Sequence, residues 1–397
     1  MIKRILIILL LVVGCQKDDI TEEVIYNPPT SDLFLDNKNI NYSLPSYFTR
    51  IPFPETNLKY RNFSNWHPPL EAILVDYDKD GYLDIVEGNS DYGSDYASSF
   101  IFMKGNKYGK LVKNVDNIFT GLIGGRKGIA GDFNNDGYPD LFFTDMGNDT
   151  PPYNGGHNVL LTNKGDGTFE ETRYTEHVSY YHSAASGDLD NDGDLDILAL
   201  GRFEESYILY NNNGEFTIEP LWPRATFPYT FDEVFDNKYH VEIIDYNNDG
   251  YDDIFLGGHE VESLAEDVRP SLILKGSQNG YNEIIELPAI IPYGVVTDLD
   301  FFDFNNDNVY DIVVTRAGVS PWYHNYYIQI IDGATLEDVT SSYFPDKSNK
   351  GYSGDGKGWI FWISVYRKNN EIIISSDDMF HDIKWTLDTN VNQFKKN

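Results

Sequence analysis

The sequence predicts an all-β protein, a single β-propeller of about six four-stranded blades, and three observations carry that reading. An acidic stretch recurs five times at intervals of 56, 56, 57 and 58 residues, and a fixed period of that size is the signature of a repeat architecture. Around each stretch, short runs rich in Val, Ile, Leu, Tyr and Phe alternate with Gly and Asn turn signals, which leaves room for four strands per period. No segment sustains a 3.6-residue apolar period. With 397 residues, 41% hydrophobic and 15% aromatic, the chain has enough apolar material to fill the spaces between blades.

The chain opens "MIKRILIILLLVVGC", where Lys3 and Arg4 precede an apolar run from Ile5 to Val13. Such a run is too short to span a bilayer and reads as an export segment. Its ending resembles a bacterial lipobox, which implies that Cys15 carries the lipid. Cys15 is also the only cysteine, so no internal disulfide is available. Residues 16–40 are polar, include Pro28 and Pro29, and read as a flexible tether. The propeller is assigned to residues 41–397. Acidic residues just behind Cys15 resemble a surface-export signal, so the expectation is an outer-membrane lipoprotein of a bacterial cell envelope, exposed at the surface and touching the membrane through its anchor alone.

The repeated stretches are "VDYDKDGYLDIVEG", "GDFNNDGYPDLFFTD", "GDLDNDGDLDILALG", "IDYNNDGYDDIFLGG" and "FDFNNDNVYDIVVTR", whose acidic runs begin at Asp76, Asp132, Asp188, Asp245 and Asp303. A sixth unit follows without the acids: "GWIFWISVYRKNNEIIISSDD" keeps two apolar strands and a polar turn, but Arg367, Lys368 and Asn369 stand where carboxylates would be needed. "HDIKWTLDTNVNQFKKN" supplies two closing strands. Residues 30 to 67 hold further strand-like runs such as "YFTRIPF", enough for an added strand or a partial seventh blade.

Carboxylates crowded into one turn repel one another unless a divalent cation sits among them. Calcium takes six to eight hard oxygen ligands in flexible geometry, supplied by alternate loop positions and one backbone carbonyl. In the second stretch these are Asp132, Asn134, Asp136, Asp140 and the carbonyl of Tyr138, with Gly137 free to make the sharp turn. The alternative is that the same side chains only cap turns through Asx hydrogen bonds.

The spacing, flanked by strands and closing with Asp at position nine, resembles the FG-GAP or VCBS repeat of integrin α-subunit propellers and many bacterial surface proteins. The resemblance runs over roughly residues 68 to 397, strong through five units and faint in the sixth. It implies about five calcium ions. The implied ligands are Asp76, Asp78, Asp80, Tyr82 and Asp84 in the first loop, and Asp188, Asp190, Asp192, Asp194 and Asp196 in the third. In the fourth they are Asp245, Asn247, Asp249, Tyr251 and Asp253, and in the fifth Asp303, Asn305, Asp307, Val309 and Asp311. The fifth departs from the pattern because Asn308 replaces glycine; Asn tolerates positive φ, so weaker binding is expected there.

All five loops should lie on one face. The opposite face collects aromatic loops, including Tyr92, Tyr96, Phe203, His259, Trp322, Tyr343 and Phe344, some of which would pack between blades and some of which would bind. Near the axis, the first strands begin with Arg126 and Lys127, with His182, and with Tyr239 and His240, read as a basic rim for an anionic ligand or as the lining of a wet channel. Arg126, His182, Tyr239, His240 and Trp322 are therefore the candidate ligand-binding residues.

A formal charge of -33 repels nucleic acid. No nucleophile elbow, zinc-protease helix or phosphate loop is present, so no catalytic residue is assigned. The reading is a non-catalytic, calcium-stabilised surface lipoprotein that binds an extracellular glycan or an envelope protein. The alternatives are a propeller-type polysaccharide lyase using Tyr181, His182, His240 or Arg126, a glycosidase using loop carboxylates such as Glu87, Asp145, Glu204, Glu205 or Glu260, and an adhesion or scaffold subunit.

Overall fold

Each period folds into one antiparallel sheet whose strands pair in chain order. The computed structural model describes residues 40–41, 73–88, 99–107, 111–148, 151–152, 154–201, 205–221, 237–261, 268–318, 325–351, 358–376 and 383–397. Cys15 and the expected tether up to residue 39 lie outside them, as do Tyr92, Tyr96, Phe203, Glu204 and Trp322.

The first strand is β1 (Ile40–Asn41). Blade 1 holds β2 (Ile73–Val75), β3 (Asp84–Glu87), β4 (Ile101–Lys104) and β5 (Val112–Lys113), and blade 2 holds β6 (Gly125–Gly131), β7 (Asp140–Asp145), β8 (Val159–Asn163) and β9 (Phe169–Arg173). Blade 3 runs through β10 (Ser183–Gly187), β11 (Asp196–Leu200), β12 (Tyr207–Asn212) and β13 (Glu215–Pro220). Blade 4 comprises β14 (Lys238–Ile244), β15 (Asp253–Gly258), β16 (Leu272–Lys275) and β17 (Glu283–Glu286). Blade 5 comprises β18 (Val295–Phe302), β19 (Asp311–Ala317), β20 (Tyr326–Ile331) and β21 (Lys350–Gly351), with a one-turn helix α1 (Thr340–Tyr343) before its last strand. Blade 6 is β22 (Ile363–Lys368), β23 (Glu371–Ser376), β24 (Lys384–Asp388) and β25 (Gln393–Lys396). β1 pairs with β22, Ile40 opposite Lys368, so this N-terminal segment adds a fifth strand to the last blade. No seventh blade is present among the described residues.

The cores lie between blades, and the two-residue alternation of a strand explains how one sheet feeds two of them. Along β11, Ile197 and Ala199 face the blade 2 side with Phe142 and Leu209. Leu198 and Leu200 face the blade 4 side with Val241, Ile254 and Leu256. Strands buried on both faces read as near-continuous apolar runs, as Ile197–Leu200 of β11 does. The blade 5–6 core takes in Tyr343 and Phe344, so those two linker aromatics pack inward. First strands of adjacent blades lie against one another, which places them around the axis. No helix among the described residues is long and apolar enough to cross a membrane.

Candidate functional site

The five acidic loops share one geometry, set by backbone as much as by acid. Position four takes the left-handed conformation in each, with φ from 56° at Asn135 to 62° at Asn191, and position six does the same at Gly81, Gly137, Gly193 and Gly250. Asn308, in the glycine place, sits at φ 69°, as expected of a residue that tolerates this region. The first carboxylate then accepts the position-six N–H, at 2.8 Å for Asp132 and Gly137 and 3.1 Å for Asp303 and Asn308. The position-five carboxylate accepts the position-seven N–H, at 2.8 Å for Asp136 and Tyr138.

Position two is the anchor. Tyr77, Phe133, Leu189, Tyr246 and Phe304 are all buried, each worth roughly 1.5–3 kcal/mol in apolar burial. In four loops the N–H of this residue donates to the position-nine carboxylate: Tyr77 to Asp84, Phe133 to Asp140, Leu189 to Asp196 and Phe304 to Asp311. The other oxygen of the same carboxylate accepts an N–H from the start of the turn after the third strand or its last residues, from Gly105, Asn163, Asn211, Gly276 or Gly333 at 2.7 to 3.0 Å. Asn163 and Asn211 use their amides further, donating to the carbonyls of Tyr77 and Phe133 in the preceding blade. Loop and blade junction are thus one structure.

Burial raises every position-nine carboxyl well above the usual aspartate range: Asp84 and Asp253 to about 8, Asp140 and Asp196 to about 7, Asp311 to about 6. Desolvation is the main cause, opposed by the N–H donors and reinforced by the neighbouring loop acids. An ionised carboxylate has about four lone-pair positions, so the Asx bonds leave acceptor capacity in every loop. Two buried oxygens, Asp132 Oδ1 and Asp253 Oδ2, have no hydrogen-bond partner at all. Oxygens of Asp76, Asp78 and Asp84, and of Asp188, Asp190 and Asp196, converge within 4.8 Å. The donor set is hard oxygen throughout, which suits calcium.

The loops differ at the residue beside the third-strand anchor. Lys104 pairs with Asp78 and lies 3.5 Å from Asp80, and Lys275 lies 3.8 Å from Asp249. In the fifth loop the equivalent place holds Asp332, 3.4 Å from the Asn305 amide. The loop with the irregular Asn308 therefore has an extra acid where the first and fourth have a lysine.

At the other end of the first strands, Tyr180, His182, Tyr239 and His259 form a continuous half-buried row across blades 3 and 4. His182 stacks near Tyr180 with centroids 6.4 Å apart, meets Tyr239 edge-on at 5.0 Å, and Tyr239 lies 4.9 Å from His259. Burial holds the His259 imidazole down to about 4, so it is neutral at ordinary pH. Arg126, half-buried, points its Nε at Met146 Sδ.

His240 differs from the rim residue the sequence suggests. Its side chain is 4% exposed and sits with Lys127, Glu242 and Asp298 in the interior near the axis. The region is acidic: two carboxylates stand beside one lysine. A basic rim for an anionic ligand does not fit this interior, because its positive charge is already taken by Glu242, 2.6 Å from Lys127. Sequence reasoning missed Glu242, Asp298 and Asp300, although charged residues inside "HVEII" and "TDLDFF" are an anomaly in strands that are otherwise apolar.

Several carboxylates considered for glycoside chemistry have structural duties. Asp145 accepts the N–H groups of Ile123, Gly124 and Gly147. Glu260 pairs with Arg316, both wholly buried, and accepts from Ser271. Tyr181 is buried and donates to the Glu205 carbonyl.

Comparison with known proteins gives a match to the FG-GAP-like repeat over residues 132–199 and 188–256, which span blades 2 to 4. No curated protein matches. Solved structures of similar architecture include a putative 6-phosphogluconolactonase from Bacteroides fragilis, 9% identical over 84% of this chain and 85% of that one, TM-score 0.47. Another is an Agrocybe aegerita lectin described as recognising non-reducing terminal N-acetylglucosamine, 15% identical over 67% of each chain, TM-score 0.42.

Proposed function

We propose that this six-bladed propeller of FG-GAP-like repeats is a calcium-stabilised, non-catalytic lipoprotein of the bacterial cell surface that binds an extracellular glycan. The observation that carries the reading is the separation of two kinds of site. One face bears five acid-rich turns, with unpartnered buried carboxylate oxygens in two of them and converging carboxylates in two others. The opposite ends of the first strands bear the row Tyr180, His182, Tyr239 and His259. Rings in a half-buried row present apolar faces with polar edges, the chemistry that meets a sugar ring. Calcium at the loops would tie each turn to the blade junction through the position-nine carboxylate and so hold the opposite face in shape. Envelope placement rests on the "VVGC" ending and the polar residues after it.

A polysaccharide screen of the folded chain, run in calcium and in chelator, tests this by reading retention and new reducing or unsaturated ends. Retention without product, reduced at least about tenfold by Tyr239→Ala, is the expected result. Product formation would replace binding by catalysis, and retention of proteins but no glycan would replace the partner.

A further inference from the structure

We propose that His240, Glu242 and Asp298 form a transition-metal site at the propeller axis, zinc being the cation whose preferences match. The site is separate from the acidic loops in position and in donor chemistry.

The geometry begins with the open edges of the innermost strands. β14 and the first residues of β22, ahead of the Arg367–Lys368 stretch that β1 covers, turn one edge away from their own blade, and the polar side chains here satisfy the groups on those edges. Asp298 accepts the Ile363 N–H at 2.8 Å and Asp300 accepts the Val365 N–H at 2.5 Å. Lys127 donates to the Val241 carbonyl at 3.0 Å, and Ser183 Oγ accepts the Val241 N–H at 3.2 Å. Edge satisfaction accounts for Asp300, Ser183 and one bond each of Lys127 and Asp298. It leaves His240 unexplained.

His240 Nε2 lies 3.0 Å from Glu242 Oε1 and 3.2 Å from Asp298 Oδ1, contacts that are poorly aligned for hydrogen bonds. A buried imidazole nitrogen held only by misaligned carboxylate contacts is under-satisfied. The three donor atoms converge in one spot. Zinc binds imidazole nitrogen and carboxylate oxygen at about 2.0–2.2 Å, so neighbouring ligand atoms of a tetrahedral site stand about 3.3 Å apart. The observed separations approach that value. Calcium, with longer bonds and a strong preference for oxygen, suits the set less well.

Charge points the same way. Glu242 and Asp298 face His240 with one described lysine beside them, Lys127, and a divalent ion would offset the surplus negative charge. Lys127 would then orient Glu242 from outside the ligand set, as outer partners do in metal sites. The three ligands come from blades 4 and 5, and Asp298 is bonded in turn to blade 6, so the ion would clamp three blades at the axis. Three protein ligands leave the fourth position for a water.

Full-length protein, saturated with calcium to occupy hard-oxygen sites, is titrated with cobalt(II), and metal content is measured after dialysis against zinc. The expected result is one tightly held zinc per chain, visible-range d–d absorption on cobalt loading, and at least about 100-fold weaker zinc retention in His240→Gln and Asp298→Asn. Asp136→Ala, which alters an acidic loop, should keep both signals. If the folded wild-type chain binds no zinc and shows no cobalt spectrum, the proposal is overturned. It is equally overturned if His240→Gln retains the spectrum. Should the variants fail to fold, the wild-type cobalt form decides: a paramagnetically shifted imidazole N–H resonance supports ligation by His240, and its absence from a loaded sample refutes it.

Discussion

Blades 5 and 6 share a strand order but differ in how the first strand turns into the second. In blade 6, β22 passes to β23 through Asn369 and Asn370, both in the left-handed region at φ 49° and 69°, as a two-residue hairpin requires. In blade 5 the same connection takes the acidic turn from Asp303 to Asp311, with a buried Phe304 and a buried carboxylate. Two asparagines suffice to join these strands, so the longer acidic turn is not demanded by the fold. Its carboxylates cost desolvation and mutual repulsion, and the proposed calcium would offset both.

That contrast gives its largest test in metal removal. With each loop filled at free calcium about 100 times its Kd, each site contributes about 2.7 kcal/mol. Chelation should therefore lower the thermal midpoint by at least about 10 °C, as calorimetry in calcium and in chelator would show; an unchanged midpoint would reduce the acidic turns to hydrogen-bonded caps. At a single loop, Asp136→Ala should lose up to about 2.7 kcal/mol in calcium and little in chelator. Equal losses in both would return Asp136 to the Asx turn alone.

The face away from the loops should respond to acid rather than to metal. Burial depresses the His259 pKa to about 4 from an ordinary 6.5, so its contribution is complete above pH 6.5 and is lost as pH falls towards 4. The loss is on the order of 1–3 kcal/mol. Denaturant unfolding between those pH values should show this slope in the wild type and a shallower one in His259→Gln, with calcium present or absent. The smallest effect belongs to Lys104, which pairs with Asp78 beside the first loop. Lys104→Ala should tighten calcium binding there by a few-fold, in keeping with a partly exposed charge, as calorimetric titration would reveal.

How much of this was legible in the chain follows from distance along it. The acidic loops declared themselves because their acidic and amide side chains fall within nine residues, and all but one of the left-handed positions are marked by Gly or Asn. Blade 6 was legible for the same local reason. The axial cluster was not: Lys127 meets Glu242 across 115 residues and Asp298 meets Ile363 across 65, so no spacing rule links them. His240 was noticed, but as a rim residue, because only Glu242 is its neighbour along the chain and Asp298 comes from the first strand of the next blade. The strand at residues 40–41 was ambiguous between an added strand and part of a seventh blade, since edge pairing depends on a partner more than 300 residues away.

The most direct measurement is hydrogen exchange of the folded chain in calcium and in chelator, resolved by peptide. Loss of protection in chelator at the five acidic turns and the strands they join, with the Asn369–Asn370 hairpin between β22 and β23 little changed, is the result this account predicts. Identical exchange at the acidic turns under both conditions would contradict it.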